Sequence, residues 1–456
     1  MAGNQREDIP LEMAPSLTHE ERLSLARIQL KQLRDRQVDW ATTEMGDRLK
    51  LLRRFRKMLL NETRSLIALI PDHGVIDVMT AEILPLMAAT GFLGREARSI
   101  LKPISLALRG RPFWLWGIRS RVVRKPLGTV LILAPGNYPL MLGAIQALQA
   151  LIAGNAVGLK PAPGRSALLL RFASLLTRAG FPEGIIEILP EDSGPQTSAA
   201  GYDLIVLTGS EQTGKKVALA AASTLTPTIM ELSGADPVFV LPSGDLNLVA
   251  RALHFGLTLK QGSTCIAPRR VYVHKMHRDA LEARLSRIFR QSSIALQQKT
   301  CPALSQLVSA VEQAGGNIRQ MGPATILLLD AESAELADVD LFAPWLALIG
   351  VSDMVEAVQL ENRSRHALGA SIFGEEKVAQ ALAKQIPAGS ITINDLIVPT
   401  ADPRLPFGGA KVSGYGATRG REGLLSMTRP VSISTRRSGA FHLLTRVRRW
   451  HARYSR

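Results

Sequence analysis

The sequence predicts an α/β protein built on a doubly wound parallel sheet, with a second α/β unit packed against it. From residue 127 onward, short apolar runs alternate with helical stretches. Crossovers of that length join parallel strands. A second series of the same kind begins at residue 245. Residues 126–159 hold no charged residue, but "APGNYP" interrupts them. Two prolines and a glycine break a spanning helix, so this apolar run belongs to a buried core.

Residues 19–70 read as helical up to Pro71, and 76–102 as one or two further helices. Residues 110–126, rich in Arg and aromatics, read as a hairpin-like segment. The first parallel series then places strands at 129–134, 156–160, 185–189, 204–207 and 228–231, with helices at 140–153, 166–179 and 212–222. The second has a helix at 245–260, a strand at 269–274 and a helix at 277–291. Its later strands lie near 325–329, 346–350 and 391–393. There is no internal repeat and no long linker, so a cleft between packed units is expected.

The chain of 456 residues is long enough for two or three domains. Two cysteines, Cys265 and Cys301, make no disulfide framework and fit a reducing compartment. No Cys/His cluster has zinc spacing, so no metal is expected. The N-terminus lacks the apolar core of a signal peptide. The net charge of +16 is concentrated. Residues 95–125 hold nine Lys/Arg against Glu96, and 436–456 hold seven arginines and no acid. No nucleic-acid motif accompanies that charge, so no nucleic-acid partner is expected.

Several short motifs have both a chemical and a plain reading. "GSEQTGKK" (209–216) approaches a phosphate loop, but Lys216 stands where the Mg²⁺ hydroxyl is needed. Its Thr208-Gly209-Ser210 still opens a helix whose free N–H groups suit a phosphate, unless it is an ordinary turn. Asn137 in "LAPGNYPL" is either an oxyanion donor or a turn asparagine. Glu231 in "TIMELSGADP" is either a base tuned by apolar neighbours or a loop carboxylate. Cys265 in "KQGSTCIAPRR" is either a nucleophile or a buried spacer.

The order of these landmarks resembles the aldehyde dehydrogenase superfamily from about residue 20 to 430. They run Asn137, Lys160-Pro161, Thr208-Gly209-Ser210, Glu231-Leu232, Gly262-x-x-Cys265 and "LPFGGAKVSGYG" (405–416). "AAASTLTP" (220–227) and "TCIAPRR" look most like its class 3, fatty-aldehyde branch. The resemblance implies that Cys265 is the nucleophile and Glu231 the base that hydrolyses the thioester. Asn137 and the Cys265 N–H would then hold the oxyanion. It implies NAD or NADP as cofactor, bound by Lys160, Thr208, Gly209 and Ser210, with Asp340 and Phe342 at the nicotinamide end. It also implies a cofactor-binding domain (1–109 and 127–232), a catalytic domain (233–427) and an oligomerisation arm (110–126 and 428–437) making a homodimer. Part of 400–427 returns to the cofactor domain.

The departures from the family are informative. Asp340 replaces the usual Glu and Ala343 a Gly, while Lys260 and Ser263 replace an Asn and a Gln. Pro163 stands where NAD-preferring members often carry Glu, which, with Arg165 nearby, leaves NADP⁺ open. The stretch from Cys265 to Asp340 is short for the family. Two alternatives stand beside aldehyde oxidation to an acid. One is an acyl-CoA-linked enzyme, disfavoured by Glu231, and the other a weakly catalytic homologue at a membrane surface. Residues 438–456 read as a basic amphipathic tail, and "FWLW" (113–116) carries two interfacial tryptophans. A cytoplasmic protein docking peripherally on anionic membrane, with a hydrophobic aldehyde as substrate, is the expectation.

Overall fold

Two helices open the fold, the first of them capped. Thr18 and Glu21 form a reciprocal capping box at the start of α1 (His19–Thr42). The helix α2 (Met45–Asn61) buries Leu49, Leu52, Phe55 and Leu59 at helical spacing. The computed structural model describes residues 18–112, 115, 117–292, 301–436, 448 and 450–453. Phe113, Trp114, Trp116 and most of the tail at 438–456 therefore lie outside the described residues. The run Val75–Ile100 is apolar and long enough to cross a membrane, and 44% of its most apolar window is buried. It contains a π-helical turn, Met79–Ile83, before α3 (Leu84–Ile100).

The strands are β1 (Ile118–Pro126), β2 (Thr129–Leu133), β3 (Ala156–Lys160), β4 (Ile186–Ile188), β5 (Leu204–Gly209) and β6 (Thr228–Leu232), then β7 (Asp236–Val240) and β8 (Pro268–His274). They continue as β9 (Asn317–Met321), β10 (Ala324–Asp330), β11 (Trp345–Val351), β12 (Gly369–Phe373), β13 (Ser390–Ile393), β14 (Gly414–Tyr415) and β15 (Thr428–Arg436). The first sheet has the order β14-β6-β5-β2-β3-β4. All its pairs are parallel except β14 with β6. Its helices are α4 (Met141–Ala153), α5 (Ser166–Ala179) and α6 (Glu211–Ala222). Every residue of α4 is buried, which explains the charge-free run at 126–159.

Only Ser233, Gly234 and Ala235 separate β6 from β7, where the chain passes from the first sheet to the second. The second sheet has the order β9-β10-β11-β8-β7-β12-β13. Along β7, Val238 and Val240 enter one apolar cluster, while Phe239 enters the other with Leu241, as the two-residue period of a strand requires. The first sheet and the N-terminal helices share a third cluster.

Two strand expectations change. The described residues of the basic segment 110–126 form one strand and no hairpin of their own. Instead β1 pairs antiparallel with β15 along nine residues, and with a short strand at Ile104–Ser105. The second sheet also contains β7, β9 and β12, which the apolar pattern did not reveal.

Candidate active site

The geometry begins with a tight turn. After α7 (Leu246–Thr258) the chain makes a 3-10 turn, Leu259–Gly262, in which Lys260 and Gln261 take φ of 49° and 56°. Gly262 follows at φ 71°, and a Cβ there would lie 2.4 Å from the Ala343 carbonyl oxygen. A glycine is required. This turn delivers Cys265, partly open, just before β8.

Side chains staple this loop to the loop after β2. Asn137 Nδ2 donates to the Ser263 carbonyl (2.9 Å), and the Tyr138 and Thr264 hydroxyls are 3.0 Å apart. Lys260 departs from the family pattern, and its surroundings supply a structural reason. Its ammonium, fully buried, donates to Glu82 (2.6 Å) and to the Asn137 carbonyl (2.5 Å). It also sits 3.7 Å from the centre of the Tyr138 ring. Glu82 lies in the π-helical turn and accepts the backbone N–H groups of Leu140 and Met141, at the start of α4. One buried ion pair thus joins three segments around the cysteine.

Glu231 stands at the end of β6, paired in register with Thr208 of β5 and Gly414 of β14. A Cβ on Gly414 would lie 1.9 Å from the Met230 carbonyl, so only glycine lets β14 approach. The Glu231 Oε2 accepts from the Thr418 hydroxyl (2.7 Å), and Oε1 has no hydrogen-bond partner among the described residues. Burial raises this carboxyl above its ordinary range, against the opposing pull of Arg419 and Thr418.

Two cavities meet at these side chains. One, of about 540 Å³, is lined mainly by apolar groups, including Met141, Phe255, Ile397 and Phe407. The other, of about 420 Å³, is lined by Gly136, Asn137, Thr208, Gly209, Ser210, Asp340 and Phe342, among others. Leu142, Glu231 and Cys265 line both. The two cavities therefore approach the sulfur from two directions. Cys301 instead lines a third cavity of about 280 Å³, with Lys260, Ser263 and Phe342.

A thiolate is favoured by electropositive surroundings, and the charge around this sulfur is the reverse. Burial pushes the Cys265 thiol up, and Glu231 and Asp236 push it the same way, with Arg419 opposing. The two carboxylates are near the sulfur for a topological reason: Glu231 is the last-but-one residue of β6 and Asp236 the first of β7, with only residues 233–235 between the strands. Asp236 is itself pushed up by burial to about 8. Arg419, unnoticed in the sequence, lines the apolar cavity, stacks 4.1 Å over Phe407 and donates to the Thr400 carbonyl (3.1 Å).

The second cavity, with polar groups set among apolar ones, suits a dinucleotide's nicotinamide end. Its donor set combines the hydroxyls of Thr208 and Ser210 with the open start of α6, where Ser210 is the N-cap. Asp340 offers a carboxylate to a ribose, Phe342 is exposed at the rim, and the orphaned Glu231 Oε1 is buried at the inner wall. Lys160 lies apart from this cavity, at the carboxyl end of β3 beside Glu191 and Asp192. Arg165 is not open to a ligand phosphate, because Asp72 holds its guanidinium through two bonds of 2.9 and 2.5 Å. Among the described residues no group of three His, Cys, Asp or Glu side chains could hold a metal ion.

Comparison with known proteins follows this geometry. The model of the aldehyde dehydrogenase family matches residues 25–300 and 311–433. A 4,4'-diapolycopene aldehyde oxidase from Methylomonas sp. is 29% identical over 450 residues, 91% of this chain and 82% of that protein. A protein from Mycobacterium ulcerans strain Agy99, named for NADP(+) succinate-semialdehyde dehydrogenase activity, is 28% identical over 89% of this chain and 83% of its own. The structure of a salicylaldehyde dehydrogenase from Pseudomonas putida G7 superposes with a TM-score of 0.84 at 22% identity, covering 92% of each chain.

Proposed function

The chain belongs to the aldehyde dehydrogenase family, and we propose that it oxidises a long apolar aldehyde to a carboxylic acid through a thioester on Cys265. The observation that carries this reading is the meeting, at Cys265 and Glu231, of a strongly apolar cavity and a second one whose mixed lining carries hydroxyls and carboxylates. The aldehyde enters through the apolar cavity with its carbonyl at the sulfur. Cys265 Sγ attacks the carbonyl carbon, and the thiol proton passes to Glu231 Oε1. Asn137 Nδ2, turned from Ser263, and the Cys265 N–H hold the oxyanion. When bound, the oxidised nicotinamide supplies the hydride acceptor that makes this an oxidation. Thr208, Gly209 and Ser210 would hold its pyrophosphate side, and Asp340 and Phe342 its nicotinamide riboside. Glu231, once it has released the thiol proton to solvent, takes a proton from water as that water attacks the thioester and passes it to the departing sulfur, releasing the acid and restoring the thiol.

The apolar lining of the cavity supports a hydrophobic substrate. Its rim includes the exposed Ile76 and Val398. The Methylomonas relative is named for a diapolycopene aldehyde, which is long and apolar. "AAASTLTP" and "TCIAPRR" support a place near the fatty-aldehyde branch. A panel of straight-chain aldehydes with NAD⁺ or NADP⁺, with and without CoA, tests the reading. We expect kcat/KM to rise by about threefold per added methylene until the cavity fills, with no need for CoA. Succinate semialdehyde outperforming decanal would overturn the substrate class, and dependence on CoA would overturn the hydrolytic step.

Two further proposals concern assembly and location. The sheet carrying β1 leaves β15 as an edge strand, much of it exposed, which supports pairing with a second copy in a homodimer. Two free cysteines support a cytoplasmic setting. The basic, partly aromatic composition of 436–456 supports reversible docking on anionic membrane. Light scattering should give twice the chain mass. Co-sedimentation with phosphatidylserine vesicles should weaken with salt and on deleting 438–456. A monomer would remove the first proposal and salt-independent sedimentation the second.

A further inference from the structure

The start of α5 is already occupied by an anion from the protein itself. The backbone N–H of Gly164 donates to Glu191 Oε2 (2.7 Å), and those of Arg165 and Ser166 to Oε1 (3.0 and 2.9 Å). The Ser166 hydroxyl adds a fourth bond at 2.7 Å. These donors hold the carboxyl down to about 2, so it is charged at any working pH. Glu191 is not on α5 or the strand before it. It follows β4 and reaches across to the loop after β3. Lys160, ending β3, feels the negative charge of both Glu191 and Asp192. Two further cations at this corner are paired, Arg165 with Asp72 and Arg22 with Asp192.

The sheet order says what lies above this corner. The chain winds outward through β2, β3 and β4, then returns to the other side of β2 with β5 and β6. In such sheets a dinucleotide lies across the carboxyl ends of the strands at the reversal. The group at the end of the second strand meets the adenosine ribose. Here that group is Lys160. A 2′-phosphate at this position needs free N–H donors or a free guanidinium, and both are taken. Pro163 provides no carboxylate, but Glu191 brings one to the N–H groups of the next three residues.

We infer that Glu191 makes this chain select NAD⁺ over NADP⁺, by filling from the neighbouring strand the donors that a 2′-phosphate would use. This rests on the dinucleotide reading given above, and it reverses the openness to NADP⁺ that Pro163 and Arg165 suggested. A 2′-hydroxyl can share Lys160 and Glu191 as donor and acceptor. A 2′-phosphate meets a fixed like charge.

Equilibrium titration of tryptophan fluorescence in the full-length protein tests this without turnover. Wild type should bind NAD⁺ roughly ten- to a hundredfold more tightly than NADP⁺. Glu191→Gln should narrow the gap, chiefly by improving NADP⁺. Asp72→Asn, which frees Arg165, should narrow it too. Equal affinities in wild type, or an unchanged gap in a Glu191→Gln protein that melts like wild type, would overturn the inference. Should that variant unfold, adenosine 5′-diphosphate and adenosine 2′,5′-bisphosphate decide on wild type. Tighter binding of the former supports the inference, and tighter binding of the latter overturns it. If wild type binds neither dinucleotide, the cofactor reading itself falls and takes this inference with it.

Discussion

Replacing Cys265 by serine is expected to lower aldehyde oxidation by at least about 10⁴-fold, since nucleophile removal has effects of that order. The thiol cannot be replaced by a hydroxyl here. Burial and two carboxylates already disfavour a negative charge at this position, and a serine alkoxide is far harder to form than a thiolate. Cys265 contributes one wall among many to the cavity that suits the dinucleotide, so dinucleotide affinity and melting temperature should stay near wild type. Cys301→Ser should leave turnover within about twofold, because surface substitutions away from a reacting group are usually mild. Cys301 lines a different cavity. A dead Cys301→Ser protein, or an active Cys265→Ser protein, would assign the chemistry to the wrong sulfur.

Glu231→Gln is expected to separate two steps. The amide keeps the volume and an acceptor for the Thr418 hydroxyl but cannot take a proton from water. Steady turnover should fall by roughly 10²–10⁴-fold, the usual contribution of a positioned base. A first equivalent of reduced cofactor should still form, but more slowly, because the thiol proton must then leave to water. The pH dependence has a definite sign. Burial raises the folded Glu231 carboxyl, and only the ionised form is a base. Wild-type deacylation should therefore climb with pH through a value above the ordinary carboxylate range, and the variant should lack that limb. A variant with unchanged steady turnover would remove Glu231 from the mechanism.

What the sequence disclosed follows burial and local pattern. Strands β2, β3 and β5 are apolar runs buried on both faces, bounded by glycine or proline, and they read directly. Asn137, Glu231 and Cys265 emerged from their order along the chain, not from any single motif. What remained hidden depends on partners distant in sequence. Lys260 looked like a defect, because its meaning lies in Glu82, 178 residues away. Glu191, in "PEDSG", carries no signal of its own, because its partners begin at Gly164, 27 residues earlier. Thr418 and Arg419 come just after the glycine-rich landmark and carry no signal until β14 lies against β6. The resemblance put the segments of β1 and β15 in one arm, but their register is not legible, since register across such a distance is set by tertiary packing.

The central claim is that the substrate's acyl group is carried on Cys265. Mass spectrometry of Glu231→Gln protein mixed with decanal and NAD⁺, quenched in acid and digested, tests it directly. The account predicts a decanoyl group on the peptide containing Cys265 and none on the peptide containing Cys301. Reduced cofactor appearing with no acyl group on Cys265 would contradict it.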